Sequence, residues 1–428
     1  MTDLRSRITV GTRHPFLPLV CSVAAIALLT LLPASSRGLH ESPTLFCPLC
    51  GDSAVEDALL NILLFVPFGF SLRRLGVPHR RVVVTGFLIS ATIELLQLGI
   101  PGRDTSLTDA IANTIGTGLG AVLCSHWRRI LFPSAPRARS LALAATLVWL
   151  IVACGTMWSF EPALPARSYF GQWAPVDVYP ASFRGSVLSA HVDGIAIPSG
   201  RLRNSAAIRV GLGADSSNVR IGASMGAPTE ALSSIVSILD DRHREILLMG
   251  QQGTSLVFRI RMRASQLRLR NFGIALTTVL ADSGRSVSIE ASRSSTTQSI
   301  RVIGEQGVRI QSVRLTPRLG WTLFAPFAPI LGPLSELIAC VWLVLMLLPA
   351  GYWAARSYSA APRFAVLITL GAIAIPLLIS LLAFGGAVPG ARDWLSSALG
   401  AAVGWAASGV LRHMTQNSGR EFLVHSLQ

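Results

Sequence analysis

Lysine is absent from the chain, and charged residues of any kind are scarce. All 37 basic residues are arginine, and charged residues make up 14% of the 428 residues, against 51% that are hydrophobic. Mean hydropathy is +0.53. A soluble protein of this length rarely carries so few charges, so the composition favours a membrane protein.

Carboxylates are outnumbered by arginines, which gives a formal net charge of +15. A nucleic-acid-binding protein would show such an excess. So would a chain whose arginines flank membrane spans and cover one face of a β domain. The positions of the arginines favour the second explanation, and we expect no nucleic-acid partner.

Cysteine is also scarce, with six residues. Four lie in or beside apolar segments, where packing is their expected role: Cys21, Cys124, Cys154 and Cys340. Cys47 and Cys50 form "CPLC" in a short loop, and one C-x-x-C pair is at most half of a zinc site. A thioredoxin-type motif would need a βαβ pattern, which is missing. A local disulfide, a redox or metal role, and no special role remain open for this pair. We expect no metal site and no cofactor.

Long hydrophobic runs divide the chain. A spanning helix needs about 20 mostly apolar residues, and eight segments approach that length: residues 16–32, 58–72, 82–100, 107–124, 140–158, 334–353, 364–384 and 394–411. The first also fits a cleaved signal peptide, because it follows "RSR" and precedes "PASS". The sequence predicts an α-helical polytopic membrane bundle of about eight spans.

Arginine-rich short loops give this bundle an orientation. "RRLGVPHRR" follows the second span, "HWRRILFPSAPRAR" the fourth, "RSYSAAPR" the sixth and "RHMTQNSGR" the eighth. All four fall on one side if the spans alternate in direction, and the positive-inside rule assigns that side to the cytoplasm. We therefore expect a multi-pass cell-membrane protein with cytoplasmic N- and C-termini.

Residues 160–320 lack long apolar runs and show an alternating pattern. In "SLVFRIRMR", Phe258, Ile260 and Met262 fall on one face of a strand and the arginines on the other, which is typical of a half-buried antiparallel strand. Further short strands with turn residues between them predict an inserted all-β sandwich, extracytoplasmic in the orientation above. We expect the arginine face to be solvated.

The pattern "IVSILDD…REILLMGQQGTSLVFRIRM" resembles the concanavalin A-like, laminin-G-like jelly-roll fold. The resemblance implies glycan or protein binding, and some such folds are glycosidases. The E-x-D-x-x-E strand motif of the catalytic relatives is absent. Acidic residues such as Asp240, Asp241 and Glu290 form no evident pair for acid and nucleophile duty. A binding or spacer role is favoured over catalysis.

Polar residues crowd into "SATIELLQLGIPGRDTSLTDAIANTIGTGLG", residues 90–120, and into the start of the second span. Helical spacing brings the candidate binding residues together near the outer membrane surface: Asp57, Asn61, Glu94, Gln97, Arg103, Asp104, Asp109 and Asn113. A carboxylate at mid-membrane costs roughly 2.5–3.5 kcal/mol and less near the interface, so it is retained where it is paired or useful. The alternative to a binding site is that Glu94 pairs with Arg103 and Asn113 to lock the bundle.

Three small or helix-breaking residues accompany the polar set. Gly116 and Gly120 form a G-x-x-x-G that allows close helix approach. Pro67 interrupts the second span, where it either frees a backbone carbonyl beneath the cluster or only kinks the helix.

"NILLFVPFG", "SATIELLQ" and "GRDTSLTDAIANTIGTGLG" resemble, in this order, the VanZ-like family of small bacterial membrane proteins. The resemblance covers about residues 16–130 and rests on an ordered set: Asn61, Pro67, Gly69, Glu94, Gln97, Arg103, Asp109, Asn113 and Gly116. It implies a role in the cell envelope. Some members are associated with resistance to glycopeptide antibiotics, teicoplanin in particular. The resemblance indicates a site without specifying a reaction.

A weaker echo of the fourth span occurs in "DWLSSALGAAVG". The spacing of Asp109, Asn113, Gly116 and Gly120 is repeated by Asp393, Ser397, Gly400 and Gly404. A degenerate second hairpin and coincidence both account for it. The expected organisation is a VanZ-like membrane domain at 1–159, the sandwich at 160–320, a three-span domain at 321–415 and a cytoplasmic tail at 416–428.

Three functions remain open. The leading interpretation is an envelope protein whose outer polar cluster recognises the polar head group of an envelope lipid intermediate or of a lipid-linked antibiotic. The second is a membrane enzyme, with Glu94 or Asp109 as general base and Arg103 holding an anionic substrate. The third is a structural anchor that displays the sandwich to glycans. The expected partners are the lipid bilayer and an envelope lipid or glycan.

Single cysteines at Ser255 and His79 in a cysteine-free chain test the orientation. A membrane-impermeant maleimide should label Ser255→Cys in intact spheroplasts and His79→Cys only after permeabilisation. Protection of Ser255→Cys in intact spheroplasts would place the sandwich and the polar cluster on the cytoplasmic side.

Overall fold

The computed structural model describes residues 15–32, 54–100, 103, 105–176, 179–277, 284–305, 307–325 and 333–425. Cys47, Cys50 and Asp104, for which the sequence makes predictions, lie outside the described residues. The chain divides into two compact units, residues 1–131 and residues 132–428.

The described residues of the first unit form four helices: α1 (Leu17–Leu31), α2 (Ala54–Arg74), α3 (His79–Gln97) and α4 (Leu107–Leu131). Buried apolar side chains from three of these helices form its small core: Ile26, Phe65, Phe68 and Ile93. α2 carries acidic residues in its first turn and arginines in its last, which is the arrangement that the helix dipole favours.

Glycines determine how α2, α3 and α4 lie against each other. Gly116 of α4 contacts the backbone of Ile62, and Gly120, one turn later, contacts Val66, so α2 and α4 are parallel. α3 runs back along α4, because Asn113 bonds to Ser90 while Thr117 touches Gly86. The C-terminal ends of α1 and α3 and the N-terminal ends of α2 and α4 therefore meet at one end of the unit.

The second unit contains α5 (Ala135–Ser159), a β-sandwich that includes α6 (Ser205–Gly213), and then α7 (Pro333–Ser357), α8 (Pro362–Phe384) and α9 (Ala391–His425). α5, expected with the first domain, packs here through Trp149 and Ala153 against Leu343 and Leu347 of α7 and Leu377 of α8. α7 and α9 pack closely through glycines.

Helices form at all eight positions of the predicted spans, but the expected number of spans is wrong. In the described part of the chain, six helical segments are long and apolar enough to cross a membrane: Ala54–Arg74, Leu107–Leu131, Ala135–Ser159, Leu334–Ser357, Pro362–Phe384 and Ala391–Met414. α1 has 15 residues, which at 1.5 Å per residue is about 22 Å, short of a hydrocarbon core of about 30 Å. α3 begins with His79, Arg80 and Arg81 and ends with Gln97, which lowers its hydropathy.

The predicted sandwich is present as two sheets that enclose one apolar core. One sheet has the strand order β10-β9-β8-β7-β1-β5, with the short β2 beside β7, and the other has the order β13-β12-β11-β6-β3-β4. The strands are β1 (Tyr169–Trp173), β2 (Ala181–Ser182), β3 (Ser186–Val192), β4 (Ile195–Ala196), β5 (Gly200–Leu202), β6 (Ser216–Ser224), β7 (Ser233–Asp240), β8 (Glu245–Gln252), β9 (Ser255–Ile260), β10 (Gly273–Thr277), β11 (Ser286–Ser294), β12 (Thr297–Gly304) and β13 (Gly307–Arg314). All pairings are antiparallel except that of β2 with β7.

The alternation in and after β9 is confirmed on its apolar side, since Phe258, Ile260 and Met262 are buried. The expectation of a solvated arginine face is wrong. Arg259 donates two hydrogen bonds to the Glu245 carboxylate, at 2.6 and 2.9 Å.

The other two arginines of this pattern are also engaged. Arg261 is buried, and the guanidinium of Arg263 lies 2.7 Å from the Glu161 carboxylate and 5.3 Å from the centre of the Trp158 ring. The residues that follow α5 run beside this part of the sheet and cover the arginines, as shown by the hydrogen bond from Ala163 N–H to the Arg261 carbonyl. The alternating pattern around β9 is local, so it does not show that residues about 100 positions earlier in the chain cover the arginines.

Asp240 fixes the hairpin between β7 and β8. Its carboxylate accepts hydrogen bonds from the backbone N–H groups of Arg242 and Arg244, both at 2.9 Å, and from the Arg244 guanidinium at 2.7 and 2.9 Å. Burial of the carboxyl opposes its ionisation, but the hydrogen bonds from Arg244 and Arg242 outweigh burial and hold the pKa of Asp240 below its usual 3.8.

Asp240→Asn should lower the free energy of unfolding of the sandwich by about 1–3 kcal/mol, because it removes a charged acceptor from a buried network. The folded state of the wild type has the lower pKa, so this stabilisation is present above the ordinary pKa and is lost as pH falls through the folded value. Below about pH 4 the difference between wild type and variant should therefore shrink.

Asp241→Asn is the matched control, measured by thermal unfolding of the whole chain at several pH values. The Asp241 side chain is 43% exposed and pairs with Arg167 at 3.0 Å, so its removal should cost less than about 1 kcal/mol. Equal losses of unfolding free energy in the two variants would show that the buried Asp240 network stabilises the sandwich no more than an exposed ion pair does.

Candidate functional site

The predicted site residues that the structure describes lie at the end of the first unit where α2 and α4 begin and α1 and α3 end. The turn between α3 and α4 closes this end. There the Glu94 carboxylate accepts a hydrogen bond from the backbone N–H of Ser106 at 2.9 Å, which ties the end of α3 to the start of α4. Glu94 is half-buried.

Arg103 does not bind Glu94, the partner considered in the packing explanation. Its guanidinium donates to the carbonyl oxygens of Leu32, at 3.0 Å, and Leu29, at 2.7 Å. These carbonyls belong to the last turn of α1, which has no further residues to satisfy them. The ion pair between Glu94 and Arg103, considered as the packing explanation, is not formed, and Arg103 instead anchors α1 to the α3–α4 turn.

Two amides lie deeper at the same end. Asn113, 2% exposed, donates from Nδ2 to Ser90 Oγ at 2.8 Å, and Gln97, 7% exposed, donates from Nε2 to the Thr30 carbonyl at 2.9 Å. Because Thr30 offers an acceptor, the orientation of the Gln97 amide is fixed by chemistry. Within the described part of the chain, Gln97 Oε1 and Asn113 Oδ1 have no hydrogen-bond partner. Two buried acceptors are thus left unsatisfied.

Three acidic residues occupy the first turns of α2 and α4. Two of them, Asp57 and Asp109, are predicted site residues, and both are half-buried. Glu56, which is not among the predicted site residues, is fully buried beside Asp57. Its position in the first turn of an apolar helix could have indicated it, because a buried carboxylate there needs stabilising contacts. Asn61 lies one turn below Asp57 and is half-buried.

The predicted small residues mark where helices touch. A side chain at Gly69, Gly116 or Gly120 would collide with the backbone of the facing helix, at Thr117, Ile62 and Val66 respectively. Pro67 does not interrupt α2, which continues as one helix from Ala54 to Arg74 with the proline exposed.

Residues 19–131 match the VanZ/LLP1 family model. The VanZ-like domain thus spans α1 to α4 and includes every candidate site residue, in agreement with the resemblance over about residues 16–130. No curated protein and no solved structure matches the chain. The sandwich is not assigned to the concanavalin A-like or laminin-G-like type by any comparison.

Among the residues that the structure describes, the polar end of the VanZ-like domain holds two unpartnered acceptors, Gln97 Oε1 and Asn113 Oδ1, in the same region as the half-buried Glu94 carboxylate. Such an arrangement can bind a polar group that donates hydrogen bonds. It can also move a proton, because carboxylates act as bases where a substrate is within reach.

Gly120→Ala should destabilise the VanZ-like domain by about 1–3 kcal/mol, because the new methyl group would collide with the Val66 carbonyl and force α2 and α4 apart. Gly118→Ala is the control on the same helix. Its methyl group would lie at an ordinary 3.6 Å from Val83, and alanine stabilises a helix by up to about 1 kcal/mol over glycine. Thermal unfolding in detergent measures both. A Gly118→Ala loss as large as that of Gly120→Ala would contradict the packing described.

Proposed function

We propose that the VanZ-like domain is a head-group-binding module of a cell-envelope membrane protein. Its ligand is the polar head group of an envelope lipid intermediate or of a lipid-linked antibiotic, which approaches the polar end of the domain with its apolar part in the bilayer. The site consists of Glu94, Gln97 and Asn113, bordered by the acidic first turns of α2 and α4.

The observation that supports this most directly is the pair of unpartnered amide oxygens. An unsatisfied buried polar atom costs about 1–3 kcal/mol. Gln97 and Asn113 lie at the same end as Glu94. A ligand that donates hydrogen bonds to these oxygens would offset the cost, whereas a purely structural cluster would not need them.

Charge supports an outward-facing site. In the VanZ-like domain the end opposite the cluster carries Arg73, Arg74, Arg80, Arg128 and Arg129, which the positive-inside rule assigns to the cytoplasm. In the second unit, arginines likewise lie at the N-terminal end of α5 and near the C-terminal end of α7, and the sandwich follows the other end of α5. We infer that the cluster and the sandwich are both extracytoplasmic.

The enzyme alternative has less support. It required Arg103 to hold an anionic substrate, but the Arg103 guanidinium already donates to the carbonyls of Leu29 and Leu32. Glu94 or Asp109 would remain as candidate bases with no cation assigned to the substrate.

The sandwich has its own candidate surface, which favours a display or glycan-binding role as a second function. A shallow cavity of about 240 Å³ opens on the sheet that contains β6, β11, β12 and β13. Its lining is mostly polar: Asn218, Glu290, Ser292, Ser299, Arg301 and Ile310. Adjacent carboxylate, guanidinium and hydroxyl groups suit the hydroxyl groups of a glycan, in keeping with the resemblance to laminin-G-like folds.

Glu94→Gln tests the proposed site. The amide oxygen can still accept the hydrogen bond from Ser106, and removal of the charge lowers the insertion cost, so stability should hold or rise. Function should fall, measured as sensitivity to envelope-active antibiotics per folded molecule in cells that produce the protein. Thermal unfolding in detergent supplies the folded fraction.

Two further variants serve as controls for Glu94→Gln. Glu230→Gln makes the same charge change at an exposed position of the sandwich and should change neither quantity. Arg103→Ala should lower thermal stability, because the last carbonyls of α1 lose their donors. If Glu94→Gln is as active as wild type per folded molecule, the cluster is only a packing device.

A further inference from the structure

The outer face of the sheet that contains β6, β11, β12 and β13 carries polar side chains in rows. Burial alternates along β6, β11 and β12, so that Val219, Ala291 and Ile300 face the apolar core and their neighbours face outward. Paired residues of adjacent strands lie side by side, and the outward residues therefore form rows that cross the strands. Two neighbouring rows supply the lining of the cavity of about 240 Å³ on this face.

The first row consists of short side chains with hydroxyl or amide groups. Asn218 pairs with Ser292, Ser292 with Ser299, and Ser299 with Ser312. The hydroxyl oxygens of Ser292 and Ser299 lie 2.7 Å apart. Because adjacent strands are about 4.8 Å apart, the row is about 14 Å long. Short side chains beside longer ones leave a depression, which we call the cross-strand groove.

The second row carries the charge of the cross-strand groove. It contains, in order across the strands, His191, Arg220, Glu290, Arg301 and Ile310. Arg220 donates from Nε to the Glu290 carboxylate at 3.1 Å, and Arg301 Nη1 lies 3.9 Å from the same carboxylate. One carboxylate is thus shared between two guanidinium groups, and the row keeps a net positive charge.

The cations of this row are accessible, whereas the carboxylate is largely covered. The exposed fraction of the side chain is 62% for Arg220 and 47% for Arg301, against 22% for Glu290. The 3.9 Å between Arg301 and Glu290 exceeds a hydrogen bond, so Arg301 can direct its donors to a ligand. A ligand that enters the groove meets guanidinium groups beside hydroxyl groups.

This combination of groups selects among ligand classes. A neutral sugar is usually held by an aromatic ring stacked on its apolar face, and the described lining of the cavity includes no aromatic ring. An extended peptide commonly adds a strand at a sheet edge, but the groove crosses the strands on the face of the sheet. Guanidinium groups form paired hydrogen bonds with carboxylates and phosphates, and the serine row can bond to the hydroxyl groups of a sugar.

We propose that the cross-strand groove binds a linear acidic glycan. A carboxylate or phosphate of the glycan lies at Arg301 and Arg220, and its hydroxyl groups lie along the row from Asn218 to Ser312. This inference rests on the glycan-binding role proposed for the sandwich and specifies the ligand class. It does not depend on the head-group site of the VanZ-like domain.

Binding by the full chain in detergent tests the ligand class, measured by microscale thermophoresis. The probes are hexagalacturonate, a phosphorylated maltohexaose and unmodified maltohexaose. Wild type should bind at least one acidic glycan about tenfold more tightly than maltohexaose, the ratio expected for one charge-assisted hydrogen bond. The difference between the two acidic probes shows whether the groove prefers a carboxylate or a phosphate. The preference for the acidic glycan should decrease at high salt, because exposed charges are screened.

Three variants assign the binding to the groove. Arg301→Gln should lose about tenfold in affinity for the acidic glycan and little for maltohexaose. Ser299→Ala should weaken the binding of the acidic glycan without changing its salt dependence, because it removes a hydroxyl group and no charge. Arg203→Gln makes the same charge change as Arg301→Gln at an exposed position outside the groove and should bind like wild type. Thermal unfolding checks that each variant is folded.

A competition on wild type alone covers the case in which a variant does not fold. Sodium galacturonate should displace the labelled acidic glycan, whereas galactose at the same concentration and ionic strength should not. Equal affinity for acidic and neutral glycans would overturn the acidic class and leave the glycan-binding role standing. Hexaglutamate bound as tightly as the acidic glycan, or an equal loss in Arg203→Gln and Arg301→Gln, would overturn the groove as a glycan site. Failure to bind any of the three glycans would overturn the glycan-binding role itself.

Discussion

Direct contact between helix backbones at glycine is the constraint on which the rest of this structure depends. α2 and α4 run parallel and approach so closely that no Cβ fits at Gly116 or Gly120. In a bilayer the hydrophobic effect does not drive helices together, so close packing of this kind carries much of their association. The parallel arrangement obliges the chain to return between the two helices, and α3 makes that return along α4. The polar ends of three helices are brought together as a consequence.

Carboxylates and amides at the polar end have a free-energy cost, because they are poorly solvated at the edge of a membrane. Part of the cost is offset locally: Glu94 accepts from Ser106, Arg103 satisfies the end of α1, and Gln97 holds the Thr30 carbonyl. Within the described part of the chain, Gln97 Oε1 and Asn113 Oδ1 remain without a hydrogen-bond partner. A cluster that only locked the bundle would be expected to satisfy itself, as the Asp240 hairpin does in the sandwich, where one carboxylate accepts four hydrogen bonds. The two unpartnered amide oxygens are the strongest physical reason to propose a binding site at this end.

In the second unit, the acidic residues at the start of α7 and α9 are paired with an arginine of the same unit. Glu336 and Asp393 are engaged by Arg318, which belongs to the segment joining the sandwich to α7. At α5, Arg263 pairs with Glu161 and covers Trp158. Ion pairs therefore connect the sandwich to the residues after α5 and the segment after β13 to the start of α7.

The sequence by itself determined the class of protein, the position of every long helix, the sandwich and the set of polar residues at one end of the VanZ-like domain. These features follow from composition and from periodicities of 3.6 and 2, which are local properties of the chain. Tertiary structure decided which groups those residues contact. Arg103 caps α1 instead of pairing with Glu94, the arginines around β9 are covered by residues after α5, and Glu56 is buried. In the part of the chain that the structure describes, six helices and not eight are membrane-capable, since α1 is too short and α3 too polar. A periodic pattern fixes the face on which a side chain lies, but its partner comes from a segment far along the chain, and only the register between packed elements brings the two together.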